Sequence, residues 1–384
     1  MTERVYFDWN ATAPLCAEAR EAMMGALAVT GNPSSVHTEG RAARALVEDA
    51  RAKVAALVGG EARSVTFTSG ATEANMTALT PALGTAGEKR PRDRLFVSAI
   101  EHPSVLSGGR FAAEAVETLP VTQAGVVDLA ALRAAIAKPE RPLISVMLAN
   151  NETGVIQPIV EIAEIVHAAN GLLHVDAVQG PGRIPVHIAD LGADLLTLSS
   201  HKIGGPQGAG ALVRRGDVHI AEPLIKGGGQ ERGLRAGTEN VAAITGFGAA
   251  AARATQADAA RMTNLRAQLE RGLRASTPDV MIFGAASPRL PNTTLFAAPG
   301  LRAETVVISF DLNGIAVSSG SACSSGKVSA SHVLDAMGVE PALARGAIRI
   351  SIGGTTTEAD IEQFLGTWRM LAASLFKERR EIAA

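Results

Sequence analysis

Lys202 closes the stretch Leu195-Leu196-Thr197-Leu198-Ser199-Ser200-His201-Lys202, directly after an apolar run of strand type. A lysine drawn into a partly apolar site has its ammonium form disfavoured, which frees the amine for a Schiff base with a carbonyl. By itself such a lysine reads as a solvated surface residue, so the weight falls on its company. An aldehyde cofactor such as pyridoxal phosphate needs an amine, an acid for its ring nitrogen, donors for its phosphate and a hydrogen bond near its phenolate. The sequence offers a candidate for each. Asp176 could pair with a protonated pyridine nitrogen, although a strand-end turn former is the plainer reading. Gln179, three residues on, could reach the ring oxygen. Ala71 and Thr72 at a helix start, together with Ser199 and His201, could hold the phosphate.

Cys323 is the second residue with chemistry to offer. Free cysteines are commonly buried packing residues, but this one is flanked by Ser321, Ala322, Ser324, Ser325 and Gly326, with little apolar company and much backbone freedom. That composition suits a nucleophile on a moving loop, which must reach a substrate and later present what it has taken. An unperturbed thiol with pKa of about 8.5 is only a few per cent thiolate near neutrality, so a proton acceptor or positive field should assist. His102 is one candidate; His332, nine residues downstream of Cys323, reads rather as structural. Cys16, the other cysteine of the chain, is expected to pack in an N-terminal helix. With two distant cysteines and no CxxC or Cys/His spacing, neither a disulfide framework nor a zinc site is expected.

The elements around these residues place them at strand ends. Val36 to Val58 carries Ala43, Leu46, Val47, Ala50, Val54, Leu57 and Val58 at helical spacing and stops at Gly59-Gly60. Ser64 to Thr68 reads as a strand, after which Ser69-Gly70-Ala71-Thr72-Glu73 turns into a helix running through Leu79. Arg94 to Ser98, Leu143 to Leu148, Leu172 to Val175 and Leu195 to Leu198 read as further strands, ending at Glu101-His102, Asn150-Asn151-Glu152, Asp176 and Ser199 to Lys202 respectively. Between them a helix with Pro158 near its first turn ends at Asn170-Gly171. Alternating strand and helix implies right-handed crossovers and a largely parallel sheet, and such sheets bind ligands at the carboxyl ends of their strands. Asn151, Asp176, His201 and Lys202 would then share one crevice. From about Ala252 to Ala275 an Arg- and Ala-rich stretch reads as a connecting helix to a C-terminal unit.

Composition excludes several function classes. A chain of 384 residues has room for a large and a small domain, and a net charge of −2 supplies no basic field for nucleic acid. No apolar run approaches the roughly 18 residues that cross a bilayer, and the start carries no hydrophobic signal core, so a cytoplasmic, non-membrane protein is expected.

Taken in order, ten stretches resemble the cysteine desulfurases of the NifS/IscS type, fold-type-I pyridoxal-phosphate enzymes of the class-V aminotransferase family. They are Phe7 to Thr12, Gly31 to Ser35, Thr68 to Glu73, Glu101-His102, Asn150 to Gly154, His174 to Gln179, Ser200 to Lys202, Gly228 to Arg232, Arg235 to Asn240, and Ser318 to Gly326. The resemblance covers nearly the whole chain. It implies an α/β fold: a large domain, 13–258, with a mainly parallel seven-stranded sheet flanked by helices, and a smaller α+β domain, 1–12 and 259–384, carrying the cysteine loop. It further implies that Lys202 forms the Schiff base, that Asp176 and Gln179 bind the ring, and that His102 stacks on the ring and moves protons. Ala71, Thr72, Ser199 and His201 would hold the phosphate, with Thr238 reaching in from a second subunit of a homodimer. Asn151 would touch cofactor or substrate, and Arg349 would clamp the substrate carboxylate as a fork.

The implied reaction takes sulfur from L-cysteine, gives alanine and leaves a persulfide on Cys323 for an iron–sulfur scaffold protein or another acceptor. No intrinsic metal is implied, although Cys323 could transiently ligate a cluster shared with a scaffold. The loop from Ser318 to Gly326 matches the kind that serves free L-cysteine. Two departures stand out: Trp9 replaces a small or polar residue, and the chain ends at Ala384, before the longer tail with which some relatives dock scaffolds. The competing readings are a selenocysteine lyase, an aminotransferase, and a non-enzymatic scaffold using Cys323 as a cluster ligand, for which one thiolate is too few.

Overall fold

The computed structural model describes residues 4–85, 90–137, 141–216, 218–255, 258–320 and 331–382. Its larger sheet has seven strands in the order Val65–Thr68, Gly210–Arg214, Leu195–Ser199, Leu172–Asp176, Pro142–Met147, Arg94–Ser98 and Val116–Leu119. All neighbours run parallel except Gly210–Arg214, which is antiparallel to the strand on either side. The mainly parallel sheet expected from the sequence is therefore present.

Strand alternation sends neighbouring residues to opposite faces. Ile144, Val146, Leu173, Val175, Leu196 and Leu198 join one buried cluster with Val47 and Val54 of the helix Thr38–Leu57, Ile162 and Val166 of Ile159–Ala168, and Phe247 of Val241–Ala254. Leu95, Val97, Leu143, Leu172, Leu195 and Leu212 join another on the other face, with Ala74 and Ala78 of the helix Ala71–Ala78. Both faces are covered, which is why these strands read as continuous apolar runs.

A second sheet is antiparallel, in the order Met281–Ile282, Thr293–Ala297, Ile348–Ser351 and Ser318–Ser319. The helices Ala259–Ser276, Ala303–Leu312 and Glu358–Ile382 supply Leu265, Leu269, Leu273, Val306, Phe310, Phe364 and Trp368 to its core. Phe310 stacks on Phe364 at 4.7 Å, and Trp368 stands edge-on to Phe296 at 5.2 Å. The N-terminal strand Val5–Tyr6 pairs with Ile315–Ala316, so the chain starts beside this second core and then crosses toward the large sheet.

Local expectations shift in two places. The stretch around Ala252 to Ala275 is not one connecting helix: Val241–Ala254 ends and Ala259–Ser276 begins anew, capped by the Asp258 side chain on Arg261 N at 2.8 Å. Cys16 does not pack within a helix; it is the N-cap residue of Ala17–Leu27 and is half-buried. Pro158 stands at the N-cap of Ile159–Ala168, beside the first turn as expected.

Candidate active site

The carboxyl ends of the central strands open on a cavity of about 490 Å³. Ala71, Thr72, His102, Asn151, Asp176, Gln179, Ser199, His201, Lys202 and Arg349 all line it. Thr238 is exposed and lies outside that lining, and Cys323 falls outside the described residues.

Asp176 is the last residue of its strand, buried, with Oδ1 accepting from Val178 N at 3.1 Å and Oδ2 from Asn75 Nδ2 at 2.9 Å. Ser199 ends the neighbouring strand, and the single turn Ser200–Lys202 then lifts Lys202 to the cavity. Lys202 Nζ donates to the carbonyls of Asn10 at 2.6 Å and Ala11 at 2.8 Å. Gln179 Nε2 donates to the same Asn10 carbonyl at 3.1 Å. Asn10, to which the sequence alone gives no role, is buried and also donates from Nδ2 to Asn151 O at 3.0 Å and Thr293 Oγ1 at 2.9 Å. It joins the chain start, the turn after Pro142–Met147 and the second sheet in one place.

Asn151 owes its position to an Asx turn, in which Asn150 Oδ1 accepts from Glu152 N at 3.0 Å and Thr153 N at 2.9 Å. Gly154 closes the turn at φ +76°, where a Cβ would lie 2.9 Å from Thr293 Cβ. Arg349, from the second sheet, is buried and donates to Asn151 O at 3.2 Å and to Asp8 Oδ1 at 2.7 Å. Trp9 does not enter this cavity. Its indole lies over Gly353, where any Cβ would come within 2.0 Å of the ring, and it lines a neighbouring crevice of about 290 Å³ with Arg183.

Burial dominates the electrostatics. His201, whose Nδ1 lies 3.1 Å from Thr12 Oγ1, is pushed down to about 4 by desolvation and then by Lys202, so it is neutral near pH 7. His174 is fully buried between Ser145 and Thr197 and is likewise lowered to about 4 by desolvation, against the opposing charge of Asp176. His102 is lowered by desolvation, partly offset by Asp176, with Lys202 and His332 adding to the depression. Glu101 is raised to about 8 by burial, although Ser98 Oγ and Met147 N donate to its Oε1 at 2.6 and 2.7 Å. His332 Nε2 donates to the Glu101 carbonyl at 2.9 Å, the structural task expected of it.

A phosphorylated pyridine aldehyde fits this lining. Gln179 Oε1 is buried without a hydrogen-bond partner, and the helix Ala71–Ala78 starts at Gly70 with no side-chain cap. First-turn N–H groups left without a cap are a ready anion site. An acceptor-only carboxylate, an amine and neutral imidazoles stand in the same cavity. Among the described residues no group of three or more His, Cys, Asp and Glu is arranged to hold a metal ion, and no helix is long and apolar enough to cross a membrane.

Comparison with known proteins gives a consistent picture. Residues 5–364 match the family described as aminotransferase class-V. A cysteine desulfurase of Cereibacter sphaeroides is 44% identical over 370 residues, 94% of this chain and 94% of that protein. Cysteine desulfurase IscS of Dictyoglomus turgidum is 42% identical, over 95% of this chain and 93% of its own length. Among solved structures, a NifS-like protein from Rickettsia africae superposes with a TM-score of 0.85 at 37% identity, covering 98% of this chain and 100% of that one.

Proposed function

The chain belongs to the class-V aminotransferase family and is a cysteine desulfurase of its pyridoxal-phosphate-dependent enzymes, and from that premise we propose how its residues divide the work. Pyridoxal phosphate, when bound, draws electrons from the α-carbon of the amino acid so that the carbon–sulfur bond can break. Lys202 supplies the amine that carries the cofactor and, once displaced by the substrate amine, takes the α-proton. Asp176 holds the ring nitrogen protonated; Gln179 and His102 bound the ring. Ala71, Thr72, Ser199 and His201 hold the phosphate, and Thr238 of a second subunit completes it in a homodimer. Arg349 fixes the carboxylate of L-cysteine, with Asn151 beside it. The thiolate of Cys323 attacks the substrate sulfur, forming a persulfide as the carbon–sulfur bond breaks and alanine leaves.

The observation that carries this reading is the convergence of Lys202, Asp176, Gln179 and Arg349 on one cavity. The described ends flanking residues 321–330 support the assignment of Cys323. Gly320 N donates to Ala347 O at 3.1 Å, beside the strand of Arg349, and Ser331 Oγ donates to Glu152 Oε2 at 2.5 Å, next to Asn151. The division into 13–258 and 1–12 with 259–384 is supported by the separate cores of the two sheets. The sulfur then passes to an iron–sulfur scaffold or another acceptor, in the cytoplasm.

Intact-mass spectrometry after incubation with L-cysteine tests the reading: one added sulfur should map to Cys323. If Cys323→Ser turned over L-cysteine unimpaired, an aminotransferase would replace it. A strong preference for selenocysteine in a side-by-side rate comparison would make it a selenocysteine lyase.

A further inference from the structure

We infer that Asn75 and Ser104 are positioning residues that fix His102 in its Nε2–H tautomer, so that neutral His102 presents a hydrogen-bond donor, not a basic lone pair, to the cavity. The inference rests on the reading of this cavity as the catalytic site.

Four side chains from three segments form one chain of hydrogen bonds. Asp176 Oδ2 lies 2.9 Å from Asn75 Nδ2, the same nitrogen lies 2.9 Å from Ser104 Oγ, and Ser104 Oγ lies 2.8 Å from His102 Nδ1. The direction of every proton follows from the chemistry of the two ends. An ionised carboxylate only accepts, so Asp176 turns the Asn75 amide nitrogen toward itself. Both hydrogens of that nitrogen are then spent, one on Asp176 and one on Ser104 Oγ. The serine hydroxyl, having accepted, has its own proton free to donate to His102 Nδ1. At the other end the backbone N–H of Ser104, which can only donate, also points at His102 Nδ1 at 3.1 Å. Side chain and backbone therefore agree: Nδ1 is the acceptor, and the proton of the neutral ring sits on Nε2.

Asn75 Oδ1 is buried without a partner, the cost of holding the amide this way round. Flipping the amide would let Ser104 donate to Oδ1 but would set that oxygen 2.9 Å from the acceptor-only Asp176, exchanging a charge-assisted hydrogen bond for a repulsion. The His102 ring lines the cavity, and its Nε2 has no hydrogen-bond partner among the described residues. A base acting through Nε2 would need the proton moved to Nδ1, against two donors. Proton acceptance in the cavity thus falls to the Lys202 amine, and His102 steadies a lone-pair or anionic atom.

The charged and titratable groups acting on His102 are Asp176, Lys202 and His332, and a test must separate them from Ser104. Nitrogen-15 NMR of the full chain labelled at its histidine rings, with His102→Gln for assignment, reads the tautomer directly with and without pyridoxal phosphate. His102 should show a protonated Nε2 and a bare Nδ1 in both; a protonated Nδ1 would overturn the inference. Ser104→Ala removes one donor from the neutral form, so the NMR-titrated proton affinity of His102 should rise roughly three- to tenfold. Asn75→Leu, which frees the serine hydroxyl to accept, should move it the same way, and Ser104→Thr should leave it near wild type. Because both residues lie on one chain, the double variant should shift no further than the larger single shift. Independent, additive shifts, or none, would refute the relay. The tautomer is read without turnover, so loss of the desulfurase reading and loss of this inference are distinguishable.

Discussion

Arg349 is tied to Asp8 before any substrate arrives: Nη2 stands 2.7 Å from Asp8 Oδ1, the arginine side chain being 2% and the aspartate side chain 22% exposed. A buried guanidinium requires a counter-charge, and Asp8 supplies it from the start of the chain. Nη1 is spent on the Asn151 carbonyl, and Nε is buried without a partner. A substrate carboxylate would therefore compete with, or displace, Asp8.

Two substitutions separate charge from geometry at this pair. Arg349→Lys keeps the charge and loses the planar fork, so KM for L-cysteine should rise about tenfold or more. Asp8→Asn keeps a polar partner and removes the competing charge, so KM should fall about threefold while the uncompensated guanidinium lowers Tm. Steady-state kinetics and thermal melts check both. A higher KM in Asp8→Asn would mean that Asp8 aims the fork rather than competing for it.

Another buried ion pair secures the turn that leads toward Thr238. Arg51 donates from Nη1 and Nη2 to Glu231 at 2.6 and 2.9 Å, and its guanidinium lies 4.8 Å from the Phe67 ring centroid. Glu231 also accepts from Phe67 N at 2.9 Å, at a backbone φ of +47°. Glu231→Gln leaves the buried Arg51 with only the half-exposed Glu48, 3.1 Å from its Nε, as counter-charge, and should cost about 3 kcal/mol in urea denaturation. Loss of less than about 1 kcal/mol would show that Glu48 alone compensates Arg51.

Much of this site could be read along the chain because its parts end apolar strands. Asp176, Ser199 and Lys202 announce themselves as polar residues after runs too apolar to be exposed. Asp8, Asn10, Asn75 and Ser104 carry no such mark. Their meaning lies in partners far off in sequence, such as Arg349 for Asp8, and only the register of two sheets brings those together. Glu101 and Glu152 look like surface acids in sequence; burial, which spacing does not encode at a strand end, makes them otherwise. The boundaries that moved, at Cys16 and Ala254, are helix ends, where capping geometry decides and apolar period is silent.

Gly154 offers a check on the Asx turn that presents Asn151. Gly154→Ala forces a side chain into φ +76° and against Thr293, so it should destabilise the fold by about 1–3 kcal/mol. Because Asn151 O is the shared acceptor of Asn10 and Arg349, KM for L-cysteine should rise along with the loss of stability. An unchanged KM at reduced stability would place the turn outside substrate binding.

Glu101 should make stability fall as pH rises, opposite to the usual carboxylate. Its Oε1 takes both hydrogen bonds from Ser98 and Met147, while Oε2 is buried with no donor to stabilise a charge on it. Burial holds the group to about 8, whereas in the unfolded chain it titrates near its ordinary value of about 4.3. Between those two values the native state keeps a proton that the unfolded chain has released. The contribution is thus fully present below about 4.3 and is lost progressively as pH climbs through 8. His174, lowered to about 4, slopes the other way, its contribution vanishing as pH falls below about 6.5. The Glu101 part is isolated by comparing Glu101→Gln with wild type at each pH. The amide stays neutral throughout, so the variant should match or trail wild type at pH 5 and gain on it by roughly 4 kcal/mol on going to pH 9. Urea denaturation at pH 5, 7 and 9 measures this. A difference independent of pH would mean that Glu101 is ionised in the native protein and that burial does not hold its proton.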